Sequence, residues 1–189
     1  CVTDVLINTH YLADKVKDFV KARKNKIEIV LSYEESLLGS GGTILKNKEF
    51  VKENENFFVL YADNLTNVSL IDLVDFHGSK DSIFTTYVYE TDVPKQKGIF
   101  TANLNSGKVL NFEEKPAEPK SNLANAGIGI LNYRIFNYLD GNIEVIDFGK
   151  DIMPKIIDNM YVRLTDGFIK DIGTFKDYLS AQEEWKTLK

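Results

Sequence analysis

A single cysteine, Cys1, stands among the 189 residues, so no disulfide can close within this chain, and such usage suits a reducing compartment such as the cytoplasm. Arginine is almost as scarce, with only Arg23, Arg134 and Arg163. Together with a formal net charge of −5, this excludes the basic face that a sequence-independent nucleic-acid binder needs. It does not exclude a nucleotide ligand, because one local cluster of positive groups and a metal ion can hold a phosphate. No apolar run approaches the roughly 18 residues of a membrane span. Neither nucleic acid nor membrane is therefore an expected partner, while an oligomer remains compatible with the composition. Histidine is limited to His10 and His77, and both are expected to be structural.

What is present is ordinary for one globular domain: 43% apolar and 27% charged residues, with no internal repeat, low-complexity tract or linker. The chain opens on cysteine and runs directly into Val5-Leu6-Ile7. An apolar strand so close to the first residue is unusual for a natural start, and a fragment is expected.

Val2 to Asn8 reads as a short buried strand. Leu12, Val16, Phe19 and Val20 recur at helical spacing, which predicts an amphipathic helix over 12–23. Ile27 to Tyr33 alternates as a strand. A glycine cluster, Gly39, Gly41 and Gly42, precedes a short helix expected over 43–48. Phe57-Phe58-Val59-Leu60-Tyr61 is so continuously apolar that a central parallel strand is predicted. A helix over 69–77 and a strand over 83–89 continue the alternation, which implies parallel strands with helices on their faces. From Gly98 the texture changes. Asn105-Ser106-Gly107 separates two strand-like runs, 98–104 and 109–114, as a hairpin turn would. A further strand is predicted over 125–131, helices over 133–139 and 151–158, short strands over 161–164 and 168–170, and a closing helix over 174–188 whose Thr174 and Asp177 make a capping pair. The fold class expected is α/β: a Rossmann-like three-layer mixed sheet, mostly parallel, with an antiparallel hairpin insertion.

Five short runs could carry chemistry. Asp63, in Leu60-Tyr61-Ala62-Asp63-Asn64, follows the C-terminal end of a buried strand, where open α/β sheets bind ligands and a carboxylate can hold magnesium against phosphate oxygens. A turn-capping aspartate explains it equally well. In Glu113-Glu114-Lys115-Pro116, the lysine suits a phosphate and the proline ends the strand, although charged strand ends are usually solvated surface. Asn125-Ala126-Gly127-Ile128-Gly129 places glycines inside a strand, a mark of close approach by a ligand, of a bulge, or of tight packing. In Lys170-Asp171-Ile172-Gly173-Thr174, Asp171 sits between a strand and a helix start, where it can ligate or cap. Leu38-Gly39-Ser40-Gly41-Gly42-Thr43 offers backbone amides before a helix but matches neither a Walker loop nor a dinucleotide fingerprint.

The order of these runs resembles the sugar-1-phosphate nucleotidyltransferase family, whose fold is GT-A-like, and Thr3-Asp4-Val5-Leu6-Ile7-Asn8-Thr9-His10-Tyr11-Leu12 is similar to that family's second strand and following helix. The resemblance covers essentially the whole chain, read as one domain over 1–189. It implies that Asp63 and Asp171 ligate Mg2+, with Asp63 and Lys115 acting in catalysis, Glu114 on sugar hydroxyls and Lys115 on the sugar phosphate. Asn125 and Gly127 would line the sugar pocket, Gly98 would also bind substrate, and Gly39, Ser40, Gly41 and Gly42 would hold the base. It also implies that the family's first strand and glycine-rich phosphate loop are lacking here. The reaction so implied joins a nucleoside triphosphate and a sugar 1-phosphate into a nucleotide sugar and pyrophosphate. Glu34, just before the glycine run, would favour guanine, with a mannose- or heptose-type 1-phosphate as acceptor. A cytidylyl- or uridylyltransferase, a non-catalytic nucleotide-sugar-binding domain, and a GT-A glycosyltransferase remain as alternatives.

Overall fold

The computed structural model describes residues 2–24 and 27–188. The ordered elements alternate at first as expected: β1 (Asp4–Thr9), α1 (Ala13–Ala22), β2 (Glu28–Tyr33), α2 (Gly39–Lys46), β3 (Asn56–Leu60), a short β4 (Asn64–Thr66), α3 (Leu70–Gly78) and β5 (Phe84–Glu90). The hairpin β6 (Gly98–Asn103) and β7 (Lys108–Glu114) follows, then the long β8 (Leu123–Asn132). The chain ends with α4 (Met153–Ile156), β9 (Met160–Leu164), β10 (Ile169–Asp171) and α5 (Phe175–Thr187).

Six strands form one mixed sheet in the order β3-β8-β5-β9-β7-β6. β5 and β9 run parallel, whereas β8 lies antiparallel between β3 and β5 and separates two strands that simple alternation would make neighbours. The α/β class and mixed sheet are as expected, but most pairings among the described residues are antiparallel, because β8 returns through the middle. β3 is correspondingly not central. It pairs with β8 alone, and its other edge has no strand partner among the described residues. The pair β1–β2, parallel and in register from Asp4↔Glu28 to Thr9↔Tyr33, forms a separate two-stranded sheet whose β1 edge is likewise open. β1 and β3 do not pair with each other.

Both faces of the large sheet are covered, which gives the three layers. On one face Leu73 of α3 packs with Tyr87, Ala126, Ile128 and Ile130. Ser69 caps α3 by accepting from Asp72 N–H at 3.2 Å. Arg163 on β9 grips Asp72 with both Nε and a terminal nitrogen, so the helix is tied down by charge as well as burial. On the other face Phe84, Phe100, Phe112, Leu131, Phe148, Met153 and Met160 make the larger core. Phe84 and Phe148 meet edge-on with centroids 5.2 Å apart.

Boundaries moved where glycines or non-local contacts decide. α2 begins at Gly39, so the glycine cluster lies inside the helix and not ahead of it. The expected helix over 151–158 starts earlier, as a wide turn over Phe148–Ile152 that Asp147 caps, and it then breaks after Ile156. The helix expected over 133–139 is a tight 3₁₀ segment, Tyr133–Asn137. The hairpin turn is where its sequence put it: Asn103 Oδ1 accepts from the Asn105 and Ser106 amides, and Gly107 takes φ 77°. His77 is buried, with Nδ1 2.8 Å from Thr85 Oγ1 and Nε2 3.0 Å from Asn56 Oδ1, in a structural role. His10 ties the ends of β1 and β2 through the Glu34 carbonyl at 2.8 Å. No described helix is long and apolar enough to cross a membrane.

Candidate active site

The chain leaves β3 at Leu60, turns through Tyr61-Ala62-Asp63 and immediately forms β4. β4 pairs antiparallel with β10, with Asn64 opposite Asp171, so sheet register brings Asp63 alongside Asp171 despite their distance in sequence. Ile172 N–H donates to the Asp63 carbonyl at 2.7 Å, which locks this approach. Gly173 marks the common ground. A Cβ placed there would lie 3.1 Å from Asp171 Oδ1 and 3.7 Å from Asp63 Oδ2, so both carboxylates border one small space. The Gly173 N–H, donated to Asp171 Oδ1 at 2.9 Å, and then the Lys97 ammonium, 2.9 Å from Oδ2, hold Asp171 below the usual carboxylate range.

Lys97 had no role from the sequence. Burial works against its charge, yet Asp171, with Tyr89 and Asp63 behind it, lifts the ammonium above the ordinary lysine value. Its carbonyl accepts from Lys115 N–H at 3.0 Å, which joins it to the hairpin end.

At that end Gly98 faces Glu114 across the β6–β7 ladder. A side chain at 98 would collide with Glu114 Oε2 at 2.8 Å, so glycine there leaves the carboxylate its position. β7 stops at Glu114, and Lys115 takes a left-handed φ of 48° before the buried Pro116. Adjacent strand residues point to opposite faces; the left-handed step at the strand end is what re-aims Lys115. Among the described residues its exposed ammonium has no hydrogen-bond or ion-pair partner.

Gly127 sits at a bulge in β8 with φ 67°, where the pairing with β5 shifts register between Thr86 and Val88. Its missing side chain admits the Tyr61 ring, 2.9 Å from the Cβ position, and the Asn64 amide. Asn125 Oδ1 supports the bulge by accepting from Gly127 N–H and Thr86 Oγ1, both at 3.1 Å. Tyr61, Ser40, Asn125, Gly127, Phe148 and Met153 are among the walls of a small cavity of about 50 Å³. Burial raises the Tyr61 phenol; the neighbouring Ser40 hydroxyl opposes this, and Asp147, Glu114 and Asp63 add to it.

Two sequence expectations meet a different local role. The amides of Gly41 and Gly42 donate to the Ile146 carbonyl at 2.8 and 3.3 Å, and Gly39 lies against the same backbone, so this run docks the 146–148 segment and those two amides are not open to an anion or base. Ser40 Oγ likewise accepts from Phe148 N–H at 3.0 Å. Glu34 is buried, and its carboxylate accepts from Thr43 Oγ1 at 2.6 Å and, weakly, from Leu38 N–H at 3.5 Å. It anchors α2 from within, which removes the structural support for a guanine contact by that residue. Lys97, Tyr61 and Asp147 lacked roles in the sequence reading. Tyr61 stood in a quoted run, but nothing local marks a lysine before Gly98 or a cap at 147 as facing this space.

Comparison with known proteins gives the family of the chain. The family model described as "Nucleotidyl transferase" matches residues 1–187. The chain belongs to the nucleotidyl transferase family. It is 32% identical over 160 residues to a glucose-1-phosphate adenylyltransferase of Thermotoga maritima, covering 77% of this chain and 37% of that protein. It is 29% identical over 186 residues to mannose-1-phosphate guanylyltransferase 1 of Arabidopsis thaliana, covering 95% of this chain and 51% of that protein. The chain thus spans about half or less of the length of these curated relatives. Among solved structures, HddC from Yersinia pseudotuberculosis superposes with a TM-score of 0.80 at 23% identity, over 97% of this chain and 79% of that one, and so shares the fold.

Proposed function

We propose that this nucleotidyl transferase chain carries the acceptor side of a cytoplasmic sugar-1-phosphate nucleotidyltransferase. The observation that carries the reading is the convergence of Asp63 and Asp171 on Gly173, linked through Lys97 to the Glu114–Lys115 strand end. Two carboxylates without a third fit magnesium, which keeps several waters and takes substrate phosphates as its other ligands; among the described residues no group of three acidic, histidine or cysteine side chains forms a fuller cage. Asp63 and Asp171 would hold that ion, and it would supply neutralisation of phosphate charge.

The remaining assignments concern the chain's own groups. Lys115, aimed out of the strand end, binds the phosphate of the sugar 1-phosphate, and the Glu114 carboxylate accepts hydrogen bonds from sugar hydroxyls. Tyr61, Asn125 and Gly127 shape the floor of that pocket, and Gly98 keeps Glu114 in place. The α2 segment from Gly39 to Gly42 borders the nucleotide side. In the transfer an oxygen of the sugar phosphate attacks the α-phosphorus of the nucleoside triphosphate, forming the new P–O bond as pyrophosphate leaves with the electrons of the broken one. That nucleophile is already anionic, so alignment and charge stabilisation suffice without a strong general base. We further propose that a strand and phosphate loop pair with the open edges of β1 and β3, since each edge leaves backbone groups without a strand partner among the described residues.

Relatives aligned over almost the whole chain are mannose-1-phosphate guanylyltransferases, which supports guanylyl transfer to a mannose-type acceptor. Adenylyl transfer to glucose 1-phosphate is the second reading, favoured by the higher identity over 77% of the chain. Pyrophosphate release with GTP or ATP, paired with mannose or glucose 1-phosphate, separates them. In the protein carrying this chain, Lys115→Met is expected to reduce kcat/KM for the sugar phosphate roughly 10- to 1,000-fold, since a charge-assisted contact is worth about 1.5–3 kcal/mol and more if it tightens in the transition state. Unchanged kinetics would exclude the role given to Lys115.

A further inference from the structure

We infer that Lys97 is a tethered cation that competes with the divalent ion for the Asp171 carboxylate. The inference rests on the proposed metal role of Asp63 and Asp171. Both oxygens of Asp171 are engaged: Oδ1 by the Gly173 amide and Oδ2 by the Lys97 ammonium, each at 2.9 Å. A magnesium ion binds oxygen at about 2.0–2.1 Å, so an ion taking Oδ2 works against the ammonium already there, because two cations on one oxygen repel.

The tether makes this competition strong. Lys97 lies immediately before Gly98, at the start of β6, and its carbonyl is held by Lys115 N–H at 3.0 Å. Its backbone cannot drift away, so the ammonium is always at high effective concentration beside Asp171. The side chain is about one quarter exposed, so bulk water and salt screen the pair only in part. A withdrawn ammonium also stays within the site, next to Lys115, on the side where the phosphate is proposed to bind. Divalent-ion binding thereby exchanges one positive charge on Asp171 for another and frees a second lysine for the acceptor phosphate.

Mn2+ serves as a probe, followed as free ion by electron paramagnetic resonance during titration of the parent, Lys97→Met, Lys97→Arg and Asp171→Asn proteins. Lys97→Met is expected to bind Mn2+ roughly 3- to 30-fold more tightly than the parent, as follows from losing a partly screened charge-assisted contact. Lys97→Arg should stay near the parent, and Lys97→Gln should behave as the methionine variant does, giving a second neutral test. A purely structural lysine gives the opposite sign, because a loosened site binds metal more weakly. Equal or weaker binding by both neutral variants, with Asp171→Asn still abolishing binding, overturns the competition and leaves the metal assignment standing. Mn2+ binding that ignores Asp171→Asn overturns both.

Discussion

At Gly127 a left-handed φ coincides with the approach of Tyr61 and Asn64, so this residue has both a backbone and a packing reason to be glycine. Gly127→Ala should cost about 2–4 kcal/mol, from strain plus displacement of the Tyr61 ring, read as a lower urea midpoint at unchanged m-value. His77 gives a prediction in pH. Burial first, then the Arg134 charge, lowers its folded pKa below the ordinary 6.5, against a smaller opposing pull from Glu55. The unfolded chain then binds more protons between that lowered value and about 6.5, so stability falls as pH drops through this window. Denaturation midpoints of the parent should decline on acidification below about pH 6.5, and His77→Gln should remove that part of the slope. A steeper decline in the variant would contradict the assignment.

At the scale of elements, α2 shows how a helix rich in glycine is held. Glycine is a poor helix former, by about 1 kcal/mol per residue relative to alanine, so tertiary contacts must fix this segment. They come from the Ile146 carbonyl on one side and the buried Glu34 carboxylate on the other. Thr43→Val keeps the shape but leaves Glu34 with only the long contact to Leu38 N–H, and it should destabilise the protein by about 1–3 kcal/mol in a thermal or urea melt. None of this was legible in sequence. From its place just before the glycine run Glu34 reads as a base contact, whereas the partner that engages it, Thr43, lies in a different element. What was legible was local or carried by motif order. The periodicity of α1, the turn at Asn105-Ser106-Gly107, the Thr174–Asp177 cap and the meeting of Asp63 with Asp171 are all found in the structure. The insertion of β8 between β3 and β5 was not, because a strand's own residues state which faces are apolar but not which neighbours complete its ladders.

For the whole molecule, protection should follow pairing. β5 and β8 are flanked on both sides and carry much of the core, whereas β1 pairs only with β2 and α1 has no fully buried residue. Native-state hydrogen exchange should therefore find the β1–α1–β2 unit opening well before the six-stranded sheet, with amides of β5 and β8 exchanging last. Uniform exchange across both sheets would show that they unfold as one unit. The clasp between the glycine helix and the 146–148 segment has a further consequence, one of timing. Ser40 and the Phe148 amide that it receives are 108 residues apart. At cellular synthesis rates, roughly 5–20 s separate the appearance of the two. Throughout that interval the segment from Gly39 to Lys46 has been made while its binding partner has not, and its own composition gives it little tendency to coil alone. Consolidation of α2 against the 146–148 segment is thus a late event on the ribosome, and slower elongation through residues 50–146 lengthens the period in which Leu37, Leu38 and Ile44 are open to chaperones or to other nascent chains.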